Sequence, residues 1–374
     1  TRNKVIENYQ KRFSVSYPNE ELPAGRPLHT TPLYEIWKAQ GAVFGQGFGM
    51  EHVNYFAKDG EPRFETPSFN RSNAFEAVGE ECRAVRESVG LNEVHNFGKF
   101  EVTGDNATEW LDVVMAGRIP AVGRLTLAPM LSPKGRIIGD FTISRLAENH
   151  YQLTSSYGAQ AFHQRWFEQH LPESGVELRN ISLERIGLQI AGPNARKVLE
   201  QVTNIDLSNE AFPFLGVRRG EVGFCDAIVQ RVSYTGGLGY EIYVDNSQQV
   251  ALYMALSEAG KDLGMRPFGM RAMMSLRLDR FFGSWMAEFS PDYTAAETGM
   301  DRFIQFTKNS NFIGRAPAEA ERATPPARRL VSFEVEADDA DVQGYEPIWL
   351  DGAVVGFCTS GGYSHFSDTS VALG

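Results

Sequence analysis

Two carboxylates stand out by type and position. Asp140 in KGRIIGDFTIS and Glu241 in TGGLGYEIYVD each follow a glycine-containing turn, where an alternating, strand-like run begins. A carboxylate held out of water beside an amine can take its proton and offset a neighbouring positive charge. A carboxylate facing an amide-like edge can accept two hydrogen bonds at once. Two acids at matching points of two similar segments would form one cleft suited to a cationic or amine-rich ligand. The plainer reading, that both are solvent-facing strand starts, stands beside it.

Other chemistry-bearing residues give less. GQGFGME (Gly45, Gly47, Gly49) and GGLG (Gly236, Gly237, Gly239) lack a strand–GxGxxG–helix context and a P-loop lysine, so they read as turn glycines. The seven histidines show no HxxxH pair, and Cys82, Cys225 and Cys358 lie far apart, so no metal site is expected. Ser360 in TSGGY lacks the GxSxG elbow of a hydrolase. Arg271 and Arg277 share the helix-like MRAMMSLRLDR, where Met and Leu make the core stripe and an arginine reads as an ion-pair partner. The aromatic run FFGSWMAEFSPDYT reads as core packing or as a pocket wall.

The elements that must position these residues are announced by an internal repeat. FEVTGDNATEWLDVVM (100–115) matches LQIAGPNARKVLEQVT (188–203), with Gly104 facing Gly192 and Asn106 facing Asn194, an offset of 192 − 104 = 88. Each copy reads as a short strand, a glycine turn and an amphipathic helix started by Asp105 or Pro193. SPKGRIIGDFTIS then aligns with SYTGGLGYEIYVD, Asp140 against Glu241, at 241 − 140 = 101. The difference of 101 − 88 = 13 predicts an insertion of that size in the second copy. Each copy is expected to be strand–helix–strand–turn–strand, over about 92–180 and 181–270. Ahead of them, the apolar spacing of Phe75, Val78 and Val85 predicts a helix from near Asn73, ended by Gly90. Residues 1–72 read as a connecting segment, and 73–317 as the main domain. Beyond the linker ATPPARR, short β runs between Gly and Asp turns predict a small all-β unit over 318–374.

Composition bounds the function classes. With 42% hydrophobic and 22% charged residues in 374, the chain is ordinary globular protein of two or three domains. A formal charge of −11 argues against a nucleic-acid binder. No window holds ~18 apolar residues without charge, so no membrane span is expected. The polar TRNKVIENYQKRFSVSYPNE is no signal peptide. A reducing compartment fits, cytoplasmic or, in a eukaryote, the mitochondrial matrix. The start at Thr1 and the end at SVALG suggest a piece of a longer polypeptide with an incomplete last unit.

KGRIIGDFTIS, LQIAGPNARKVLEQV, SYTGGLGYEIYV, FGMRAMMSLRLDRFFGSW and VGFCTSGGYS, in that order, resemble the glycine-cleavage T-protein (aminomethyltransferase) family. FETPSFNRSNAFEAVGEECRAVRESVGL and RPLHTTPLYEIWKAQGAVFGQGFG resemble a narrower group, the dimethylglycine and sarcosine dehydrogenase-like flavoproteins with a C-terminal T-protein domain. The resemblance implies an α+β cloverleaf: two related α+β modules plus a C-terminal β-barrel-like subdomain, around an opening that holds tetrahydrofolate. It implies that Asp140 is the catalytic aspartate, that Glu241 binds the pterin and that Tyr157 touches it. Arg277 would line the folate site, with Phe97 and Arg329 reaching the folate, the arginine near its glutamyl tail. This chain departs from many T-proteins in ETGMDRF after Glu297, and in Gly237 where an acidic residue is common. The implied reaction captures the iminium or aminomethyl carbon of an N-methyl amine on tetrahydrofolate, giving 5,10-methylenetetrahydrofolate. Its implied partners are the small-molecule amine and a flavin-binding oxidoreductase domain, with FAD only in that upstream domain. The alternatives are a non-catalytic folate-fold binding module and a tetrahydrofolate-dependent methyltransferase for another methylated osmolyte.

Overall fold

A helix over Phe75–Glu87 forms where the spacing places it, because Val78, Cys82 and Val85 bury on one face. It stops at Glu87, before the expected Gly90. Gly90 lies inside the following strand, and a Cβ there would come within 2.4 Å of Val85 and 2.6 Å of Phe268. The glycine serves close packing, not helix termination.

The computed structural model describes residues 2–374. Its N-terminal part runs α1 (Arg2–Lys11), α2 (Tyr34–Ala39), hairpin β1 (Ala42–Gly47) and β2 (Met50–Phe56), α3 (Phe75–Glu87) and β3 (Val89–Glu93). Residues 34–56, read from sequence as connecting chain, are thus regular structure, and Trp37, Val43 and Tyr55 sit in the core. Their signal was hidden by the density of Gly and aromatic residues. GQGFGME forms the β1–β2 turn, as the turn reading expects.

The first module is β4 (Phe97–Thr103), α4 (Ala107–Val114), β5 (Leu125–Leu131), β6 (Ile137–Ala147), β7 (His150–Ser156), α5 (Gln160–Gln169) and β8 (Glu177–Asn180). The second is β9 (Arg185–Ala191), α6 (Ala195–Leu199), β10 (Val217–Val222), β11 (Cys225–Gln230), β12 (Gly239–Asp245), α7 (Gln249–Gly260) and β13 (Met265–Pro267). The sheet orders are β5-β6-β7-β4-β8 and β10-β11-β12-β9-β3-β13, so β3 takes in the second sheet the place of β8 in the first. Each module has its own core, one around Phe100, Leu111 and Phe141, the other around Leu188, Val198 and Ile242.

The glycine turns repeat atom for atom. Gly104 and Gly192 have φ of 118° and 133°, and their carbonyls accept the N–H of Ala107 and Ala195 at 2.9 and 3.0 Å. Such a φ favours glycine. The next asparagines donate N–H to Gly175 and Ser88, each at 2.9 Å.

The second half of the expected alignment is corrected. By sheet position β6 corresponds to β11, and β7 to β12. The starts of β7 and β12 differ by 239 − 150 = 89, and those of α5 and α7 by 249 − 160 = 89. The offset therefore stays near 88, with no 13-residue insertion. Asp140 and Glu241 lie on non-equivalent strands, and the counterpart of Glu241 is Gln152. A strand after a glycine-containing turn recurs at several hairpins of these modules, β5–β6, β10–β11 and β11–β12 among them, so the local pattern could not choose among them.

After the modules come α8 (Met270–Leu278), α9 (Arg315–Ala323), and β14 (Ser332–Val335), β15 (Pro347–Leu350), β16 (Ala353–Phe357), β17 (Ser360–Ser364) and β18 (Thr369–Leu373). From Ser332 on the chain is all-β, but α9 runs to Ala323, inside the 318–374 span expected to be all-β. Among the described residues these last strands form a three-stranded sheet, β14-β18-β17, and the hairpin β15-β16, without closing a barrel.

Candidate functional site

The two modules meet edge on. Leu125 donates its N–H to Leu215, and Val217 to Gly123, at 2.9 and 2.8 Å. Val94, Leu125, Val217, Ile228 and Tyr243 form a shared apolar seam, with Phe97 packed against it. The functional candidates fall into two groups around this junction.

The first group centres on Asp140. Its Oδ1 is closed off from solvent and has no hydrogen-bond partner among the described residues. Burial pushes its carboxyl up to about 7. Tyr234, which sequence reasoning missed, lies within electrostatic reach of Asp140, Arg277 and Glu288, and burial drives its phenol well above the usual range. Its Oη donates to Gly283 at 2.6 Å, and its ring stacks on Phe282. Its only local signal is its place before the TGG turn. The aromatic run proves to be wall as well as core: Trp285 packs on His163 at 5.3 Å, and His163 meets the Ile138 carbonyl at 3.0 Å, two residues from Asp140.

Arg277 is 1% exposed and donates to Glu288 at 2.9 Å and to the Phe282 carbonyl at 2.9 Å. Glu288 also accepts from Ser284 N–H at 2.9 Å, from the Thr359 hydroxyl at 2.7 Å and from Ser360. The arginine is thus the buried ion-pair partner that its helix position suggests. It also lines a cleft of about 310 Å³ between α3, α8 and the C-terminal unit.

The second group centres on Glu241. Its Oε2 accepts from the Tyr243 hydroxyl at 2.7 Å, while Oε1 meets no protein donor among the described residues. Burial pushes this carboxyl up to about 7, against the pull of the Tyr243 hydrogen bond and the charge of Lys99. Phe97 opens β4 opposite Ser156, so it stands next to Tyr157, the half-buried residue that follows β7. The hairpin tip reaches the same place, with the Phe48 ring lying against Gly158. Sequence reasoning also missed Lys99 and Tyr243. Arg329 is exposed in the linker and makes no hydrogen bond among the described residues, while its neighbour Arg328 holds Glu297 at 2.7 Å. No group of three or more His, Cys, Asp or Glu among the described residues is placed to hold a metal ion. No helix among them is long and apolar enough to cross a membrane.

A two-module α+β body with a small β unit and two acids with unmet acceptors defines a class that comparison with known proteins identifies. The chain belongs to the glycine-cleavage T-protein family: the family model described as the GCVT N-terminal domain matches residues 33–308, and that of the glycine cleavage T-protein C-terminal barrel domain matches 328–374. It is 37% identical over 376 residues to mitochondrial dimethylglycine dehydrogenase of Homo sapiens, across 100% of this chain and 43% of that protein. It is 32% identical over 302 residues to an aminomethyltransferase of Geobacillus sp. (strain WCH70), across 80% of this chain and 82% of that one. Glycine cleavage system aminomethyltransferase T from Bartonella henselae superposes with a TM-score of 0.78 at 22% identity, covering 93% of this chain and 89% of that one, which shows the shared fold. The chain is an aminomethyltransferase-type enzyme domain, and it spans under half the length of the dimethylglycine dehydrogenase it matches.

Proposed function

We propose that this domain transfers a one-carbon unit from an N-methyl amine of the dimethylglycine or sarcosine type to tetrahydrofolate, giving 5,10-methylenetetrahydrofolate. The observation that carries the reading is the pair of unmet acceptors, Asp140 Oδ1 and Glu241 Oε1, flanking one module junction in a T-protein chain. Both suit the group. Glu241 has an acceptor free for the donor edge of a pterin, and Tyr157 and Phe97 would offer ring faces to it. Arg329, exposed and unpaired among the described residues, would meet the glutamyl tail, and Arg277 would back the site through Glu288. Tetrahydrofolate, when bound, supplies the amine nitrogen that takes up the carbon. Asp140 accepts the proton released there, and its charge offsets the cationic character of the incoming carbon. A carboxyl poised near 7 can do both at neutral pH. A flavin-binding domain in the same or a partner chain would oxidise the amine, in the cytoplasm or the mitochondrial matrix.

The test joins this domain to its amine-oxidising partner and follows methylenetetrahydrofolate against free formaldehyde. With Asp140→Asn, amine oxidation should continue while the product switches to formaldehyde. Methylenetetrahydrofolate formed at the unmodified rate above the uncatalysed background would sink the proposal.

A further inference from the structure

Glu241 does not stand alone on its face of the second sheet. Strand pairing sets Asn92 opposite Gln189, Gln189 opposite Glu241, and Glu241 opposite Gln230. Residues paired across antiparallel strands leave the sheet on one side, with Cβ atoms ~4.5–5.5 Å apart, so these four make one polar row. The row shares its side of the sheet with Ile228 and Tyr243 of the junction seam, while Val229 and Ile242 turn into the module core.

Buried amides are normally hydrogen-bonded. Gln230 is 0% exposed, yet neither its Oε1 nor its Nε2 meets a partner among the described residues. The other end of the row is oriented by the protein itself. Asn92 donates to the Phe268 carbonyl, which leaves its Oδ1 to accept from Gln189 Nε2 at 3.5 Å. The same Nε2 lies 3.5 Å from Met273 Sδ, so the Gln189 amide has its donor side occupied and its Oε1 unpartnered. Across the strands the row therefore offers the acceptors Gln189 Oε1 and Glu241 Oε1, then an amide whose Nε2 is uncommitted.

We propose that Gln230 is a specificity-determining residue beside Glu241, donating from Nε2 to a ring carbonyl that adjoins the donors taken by the carboxylate. A heterocycle with an exocyclic amine, a ring N–H and a ring carbonyl in succession presents the matching edge. A carboxylate reads the two donors and has nothing to give the carbonyl, whereas an amide N–H does. The inference deepens the folate reading and rests on it, since a pterin carries such an edge. It also accounts for an amide that the ligand-free fold holds at a loss, because a buried polar group without a partner is destabilising until something meets it.

The test uses the 374-residue chain and tetrahydrofolate. Gln230→Met keeps the length of the side chain and removes the unpaired amide. Its urea midpoint should lie at or above that of the unmodified chain, while its tetrahydrofolate affinity by calorimetry should be about tenfold weaker. With isotope-labelled tetrahydrofolate, the infrared stretch of the ring carbonyl should drop on binding to the unmodified chain and drop less in Gln230→Met. A residue that only packs would give the reverse, a lower urea midpoint with affinity and carbonyl band unmoved, and that result would overturn the proposal. If Gln230→Met does not fold, the unmodified chain decides: a lowered carbonyl band upholds a donor at that oxygen, and an unshifted one overturns it. Affinity weakened by Glu241→Gln but untouched by Gln230→Met would overturn the role of Gln230 and leave the folate reading in place. An unmodified chain that binds no tetrahydrofolate would overturn both.

Discussion

The base proposed here, Asp140, depends on pH for its readiness. Its carboxyl is raised to about 7 by burial, so the ionised fraction grows as pH climbs through neutrality. The rate of folate-dependent product formation should therefore rise through about pH 7 and level off above it. Asp140→Asn should run ~10²–10⁴-fold slower, with that rising limb gone. A rising limb retained by the asparagine variant in a pH–rate series would assign it to another group. Glu241→Gln should instead weaken tetrahydrofolate binding with the fold intact, since the amide sets donors against the pterin's own N–H groups. A charged hydrogen bond is worth about 1.5–3 kcal/mol, which calorimetry detects easily. Asp140 and Glu241 stand out in the sequence as acids after glycine turns, but their roles came from the family resemblance and not from that frame, which other hairpins share. Tyr234 was not legible, because its proximity to Asp140 depends on a loop of one module reaching a strand of the other.

At the scale of elements, Glu81 joins pieces that the chain separates widely. It is buried in α3 and accepts the N–H of Phe56 at the end of β2 at 2.7 Å, and that of Gly269 before α8 at 2.8 Å. Glu81→Ala should leave two buried donors unpaired and cost about 2–4 kcal/mol in urea unfolding. Burial raises this carboxyl from 4.5 to about 8. The native state therefore holds a proton that the unfolded chain has lost, so stability falls as pH rises across that window. The advantage of the unmodified chain over Glu81→Gln should be largest below about 4.5 and should shrink toward pH 8. An advantage that grows over the same range would mean that the two N–H bonds outweigh burial. The repeat was legible at this scale where a glycine turn precedes a helix, since Gly104 and Gly192 need the same positive φ. It was misread where glycine turns precede strands, since several hairpins satisfy that pattern.

At the scale of the molecule, Arg277 and Glu288 fasten the C-terminal unit to the body. They are 1% and 0% exposed at their side chains, and Glu288 reaches Thr359 and Ser360 beside and at the start of β17. Arg277→Met strands a buried carboxylate, which should cost about 3–5 kcal/mol. Amide exchange should quicken first in β17 and β18, ahead of the module cores, if the pair is the fastening. Uniform acceleration throughout the chain would assign it only a general packing role. The purified chain should also be colourless, since it has no strand–GxGxxG–helix unit to hold a flavin pyrophosphate. A stoichiometric yellow chromophore on it would overturn the assignment of the oxidising chemistry to another domain.

The sequence by itself determined the class of architecture and put forward Asp140 and Glu241 as candidate acids. Strand and helix periodicity, the Gly104 and Gly192 turns and the family segments are all local properties, carried by short runs of chain. Tertiary structure alone decided which strands are equivalent, because sheet order is a matter of long-range pairing that a run such as IIGDFTIS or GYEIYVD does not encode. It also decided that Lys99 is buried. Its alternating strand marks it as solvent-facing, yet it is fully buried with its ammonium on the carbonyls of Val94, His95 and Phe97. Burial likewise pushes Asp140 and Glu241 out of the ordinary carboxylate range, since desolvation belongs to the assembled fold and to no segment alone.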